Sequence, residues 1–193
     1  MTLLRDRYDK FYAKTRKEWR KWLEQHHATS PGIWLIYYKR ETGKPRVEYN
    51  DAVEEALCFG WIDTTMLPVD AHSYMQLFTP RKPKSGWAKT NKDRVQRLIE
   101  QKLMTPAGLA KIEAARQNGS WTALDAVESL TLPPELKKAL KAKRGALANF
   151  QSFRPSVQKQ LLYWLNNAKR EATRARRIAS IVAGAAANEN PLA

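Results

Sequence analysis

Apolar residues in the first third of the chain recur at two different spacings. Trp19, Trp22, Leu23 and His26 fall on one face at helical intervals. Thr15 and Glu18 have the spacing of a capping box, so a helix is predicted near the end of residues 1–27. Ser30, Pro31 and Gly32 then signal a turn, and residues 33–38 form an unbroken branched and aromatic run that favours a strand. Residues 47–49 are a short extended candidate to pair with it. Asn50 or Asp51 is placed to cap a short helix with Val53, Ala56 and Leu57 inward and Glu54 and Glu55 in its first turn, where the helix dipole favours carboxylates. Gly60 stops it.

Residues 61–66 and 72–79 read as two strands of an antiparallel ribbon, joined across 67–71, with one face packed and one partly exposed. A helix over 91–102 turns Val95, Leu98 and Ile99 inward, and Thr105-Pro106 has the cap-then-first-turn order for another, ended by Asn118-Gly119. From Leu130 onward no strand signal remains. Pro133-Pro134 opens a helix carrying Leu136 and Leu140, and Gly145 breaks it. Phe150 and Phe153 can pack between it and the next helical stretch, residues 156–168, which places Leu161, Leu162, Leu165 and Ala168 on one face. Residues 173–183 continue helically with Ile178, Ile181 and Val182 apolar, and residues 188–193 read as a frayed end. The expected class is α+β: a small, mostly antiparallel sheet covered by helices in residues 1–129, then an all-helical basic module in 130–193.

Charge changes the picture more than length does. The 193 residues carry 34 Lys and Arg against 19 Asp and Glu, a formal net charge of +15, which favours anionic partners such as nucleotides, nucleic acid or an anionic surface. A 43% hydrophobic content argues for a folded chain. The single cysteine, Cys58, excludes an internal disulfide, and His26, His27 and His72 lack metal-ligand spacing. No cofactor or metal is implied. No leader-like or membrane-spanning apolar run is present, so a cytoplasmic location is expected.

Residues 78–91 concentrate candidate chemistry. Arg81, Lys82, Lys84 and Lys89 crowd around Trp87, with prolines to stiffen the backbone and Ser85-Gly86 to turn it. Guanidinium and ammonium groups bind phosphate or carboxylate while an indole stacks on a flat apolar group. If the two strands pair, Trp61 and Asp63 can join Arg81, Lys84, Ser85, Trp87, Lys89 and Asn91 at one sheet end and line a ligand cleft. The bland alternative makes Asp63 the ion-pair partner of Arg81 and both indoles core. Asp63 is the one candidate general base, without a paired acid or activated nucleophile, so no catalytic constellation is recognisable. Cys58, at a helix C-terminus without a nearby histidine, reads as a small buried residue. In the C-terminal module Arg170, Arg174 and Arg177 share a helix face and could follow nucleic-acid phosphates, supported by Lys137, Lys138, Lys141, Lys143 and Arg144.

The segments ALCFGWID (56–63), FTPRKPKSGWAKTN (78–91) and LMTPAG (103–108) resemble the YdeI/OmpD-associated family, and residues 132–178, with AKREATRARRI (168–178), resemble its C-terminal bacteriocin-protection module. The resemblance implies a role in envelope stress or bacteriocin resistance and brings no settled chemistry with it. The first expectation is therefore a stress-associated protein binding a small anionic ligand in the Trp, Arg and Lys cleft. Sequence-independent nucleic-acid binding through the basic helices and a protein-interaction role are the alternatives.

Overall fold

The computed structural model describes residues 3–192, and the chain divides into two compact units, Met1–Thr122 and Ala123–Ala193. In the first unit the elements are β1 (Lys10–Phe11), α1 (Arg16–His26), β2 (Ile33–Tyr38), α2 (Tyr49–Cys58), β3 (Trp61–Pro68), β4 (Ser73–Pro80), α3 (Lys89–Glu100) and α4 (Pro106–Gln117). Among the described residues the sheet has four strands in the order β1-β2-β4-β3. β2 and β3 both pair antiparallel with β4, while β1 lies parallel to β2. The fold is α+β.

Two local expectations in this unit need correction. Residues 47–49 do not pair with β2: Val47 donates its N–H to Ala13, Tyr49 opens α2, and the outer edge of β2 is taken by Lys10 and Phe11. A two-residue strand held by one edge has no periodicity to read. Glu54 and Glu55 are also not first-turn dipole partners. Glu55 is buried and gripped by Arg16 at 2.6 Å and Arg20 at 2.7 Å, and Arg16 also reaches Asp51 and Glu54. Two guanidiniums and three carboxylates thus clamp α1 to α2, and Arg97 of α3 joins through Glu54.

One face of the sheet packs Ile33, Leu35, Tyr37 and Phe78 against Trp19, Leu23, Val53, Leu57 and Leu98. The other carries a smaller cluster of Trp34, Met75 and Leu77, with Tyr8, Ile36 and Leu67 against it. The start of α4 is spliced onto the end of α2. Thr105 gives both its backbone N–H and its hydroxyl to the Cys58 carbonyl, at 3.1 and 2.6 Å, and caps Gly108. A Cβ on Gly108 would lie 2.3 Å from that same carbonyl oxygen, so only glycine permits the approach.

The second unit is helical: α5 (Asp125–Glu128), α6 (Pro134–Ala142), α7 (Ala146–Ser152), α8 (Pro155–Asn166) and α9 (Glu171–Ala187). Leu136, Leu140, Phe150, Leu161, Leu162, Leu165, Ile181 and Ala185 form its core. Gly145 breaks the chain between α6 and α7 at φ +77. The end is not frayed over its described residues. Asn188 takes a left-handed cap, Glu189 bonds back to Gly184, and Pro191 lies so close that a Cβ on Gly184 would meet it at 2.8 Å. Ala193 lies outside the described residues.

Candidate functional site

The strand register brings together the residues that the sequence singled out, and then seals several of them. Trp61 stands opposite Pro80 and Asp63 opposite Phe78, and Arg81 donates its backbone N–H to Gly60. Trp61 and Trp87 are only 1% and 2% exposed, so neither face of either indole is open to a ligand. Trp61 gives its Nε1 proton to the His27 carbonyl, and Trp87 packs against Trp121. Arg81 is 4% exposed, stacked over the Trp87 ring at 3.7 Å and bonded to the Gly86 carbonyl. Burial pulls its pKa down to about 10, partly offset by the field of Asp63. This is a brace: the guanidinium and the indole hold the loop 81–87 shut. The placement corrects the expectation that these three residues grip a guest.

The remaining predicted ligands are also engaged locally. Asp63 accepts a 2.7 Å hydrogen bond from the Tyr49 hydroxyl; burial and that carboxylate push the phenol up to about 12. Ser85 donates to the Lys82 carbonyl, Lys89 pairs with Asp93 one turn along α3, and Asn91 accepts from Arg94. Lys84 is exposed at the loop tip.

A partly exposed indole and a lysine instead line a cavity at the same sheet end, where Ile33 pairs with Phe78 and Trp22 meets Trp61. A cavity of about 290 Å³ lies where β1 and the end of α1 meet the turn before β2. Its floor is aromatic: Trp22 has Phe11 at 5.8 Å between ring centres and His26 at 4.9 Å, and both Phe11 and Trp22 are half-buried. Asp9, Lys10, Thr29 and Ser30 also line it. Trp22 is held in place from beneath, stacked on Trp19 and edge-on to Trp61. The helical spacing of Trp22 and His26 was visible in the sequence. That Phe11 and Lys10 would join them was not, because the partner strand is two residues long.

The basic ridge of the second unit is partly consumed internally. Arg174 bonds Glu135, and Arg177 bonds the Trp164 carbonyl with its guanidinium over that ring. Arg170 remains exposed. The shared face of these three arginines therefore does not present three free cations. Lys137, Lys138, Lys141, Lys143, Arg144 and Arg176 are exposed.

A family model described as a domain of unknown function, DUF8412, matches residues 11–111, just over half the chain. A second, described as Bacteriocin-protection, YdeI or OmpD-Associated, matches residues 129–188. The chain belongs to the first of these families, and its residues 129–188 are similar to the second. No curated protein and no solved structure matches it. The DUF8412 region holds the floor of the aromatic cavity, Phe11, Trp22 and His26, while the YdeI/OmpD-associated region spans α6 to α9. No described helix is long and apolar enough to cross a membrane.

Proposed function

We propose that the protein binds a small molecule joining a flat ring to an anionic group, in the cavity floored by Phe11, Trp22 and His26. The observation that carries this reading is the partly exposed Trp22, buttressed by two further indoles and lining the same cavity as Lys10 and Asp9. A rigid aromatic platform stacks a planar ring at little entropic cost, and an adjacent ammonium holds phosphate or carboxylate. Asp9, lining the same cavity, selects for a ring that carries N–H donors, since a carboxylate only accepts. A purine or pyrimidine mononucleotide meets all three requirements.

The test is thermal denaturation over a panel of mononucleotides and ring-bearing carboxylates, in the wild type, Trp22→Ala and Lys10→Glu. A ligand present at a hundred times its Kd stabilises by about 2.7 kcal/mol, a shift of several degrees. We expect that shift for at least one nucleotide, lost in Trp22→Ala and reduced in Lys10→Glu. Shifts that persist in Trp22→Ala, or none across the panel, remove the proposal.

A further inference from the structure

The second unit has an apolar groove that its own chain leaves unfilled. Ala175, Ile178, Ala179, Val182 and Ala183 of α9 recur at helical spacing along one face and, with Ala139 of α6, line an open groove of about 550 Å³. Its floor is of small residues: Ala175, Ala179 and Ala183 are exposed and four residues apart, so a second backbone can approach closely. From Ala175 to Ala183 it runs about 12 Å, two turns of helix.

The rim is cationic. Lys143 lines the groove and also a second cavity, of about 340 Å³, which it shares with Lys141 and Arg144. Arg176, exposed, follows Ala175 on α9. The unit as a whole carries twelve Lys and Arg against five Asp and Glu. Of those acids, Glu128 is engaged by Lys159 and Glu135 by Arg174. Glu171, one turn before Ala175, sits in the first turn of α9, where the dipole favours it.

From this pairing of an alanine-floored groove with a lysine and arginine rim, we infer that α6 and α9 dock an acidic amphipathic helix of a partner protein. The ridge of apolar side chains on such a helix fills the groove, and its flanking carboxylates meet Lys143, Arg144 and Arg176. A second copy of this chain is disfavoured by its own net charge of +15. Nucleic acid would use the rim and leave the apolar floor empty. A two-turn contact is small, which suits a transient complex.

The experiment uses the full chain and a fluorescein-labelled, helix-stapled peptide of about 14 residues, with leucines at i, i+3, i+4 and i+7 and glutamates on the flanks. A scrambled peptide of the same composition is the control, read by fluorescence anisotropy. The helical peptide should bind at least about tenfold tighter than the scramble, a difference of about 1.4 kcal/mol. Ala179→Trp, an exposed position filled with a bulky ring, should erase that preference, and Lys143→Glu should weaken binding several-fold. Equal binding of the two peptides, or unchanged affinity in Ala179→Trp, overturns the inference. So does binding of an oligouridine or of phosphatidylglycerol vesicles that Ala179→Trp abolishes, since the groove would then serve those ligands. None of these readouts depends on the aromatic cavity of the first unit.

Discussion

The loop 81–87 and the cavity at Phe11, Trp22 and His26 hold similar chemistry and do opposite things with it. In each, an indole and a cationic residue belong to one local cluster. In the loop the guanidinium of Arg81 lies over Trp87 and both are sealed, so neither is open to a guest. At the cavity the indole of Trp22 is held from below and lines an open space that Lys10 and Asp9 also line. The difference lies in what covers the ring. Trp87 is covered by its own loop and by Trp121, whereas the strand edge beside Trp22 is only two residues long.

The largest expected effect tests the sealed half. Trp87→Ala should cost about 3–5 kcal/mol in urea denaturation, as expected for a buried aromatic removed from a core. A loss below about 1 kcal/mol would show that the ring is not a structural brace. Trp22→Ala should cost about 2 kcal/mol, because part of the ring is already in water, and should abolish nucleotide-dependent stabilisation that Trp87 variants retain.

Titration of a buried group comes next. Burial, reinforced by Glu55, pushes the Cys58 thiol up to about 11 from an ordinary 9.0. The folded state therefore keeps a proton that the unfolded chain gives up. The resulting stabilisation is fully present below about pH 9 and is lost as pH rises through about 11. Denaturation at pH 8 and pH 10.5 should show the wild type losing about 1–2 kcal/mol more than Cys58→Ala across that window. Equal losses would place the thiol in contact with solvent. Smallest of all, Lys84→Ala at the exposed loop tip should change stability by less than about 0.5 kcal/mol and leave ligand binding untouched. A large effect on binding would return the site to the loop.

Much of the fold was legible because local and tertiary preferences agree. Thr15 accepts from the Glu18 N–H as the capping spacing predicts, Thr105-Pro106 opens α4, and the ribbon of β3 and β4 forms with Trp61 opposite Pro80. What was not legible was burial. A run such as FTPRKPKSGWAKTN states which groups are close along the chain and nothing about which element closes over them; Trp121, the residue that covers Trp87, lies far along the sequence. The same limit hid Glu55, whose place on α2 is ordinary until Arg16 and Arg20 arrive from α1. Likewise the arginine ridge of α9 obeys helical spacing, yet Glu135 and the Trp164 carbonyl take two of its three members.

The splice between Cys58 and Gly108 sets where this chain can be cut and extended. With α2 and α4 joined end to end through a single carbonyl, residues 56–63 and 103–108 behave as one hinge pin, and a linker inserted in either would pull both helices apart. Gly43, whose φ of +65 faces open space, offers the opposite: a loop where a reporter domain or affinity tag can be grafted without disturbing the interior.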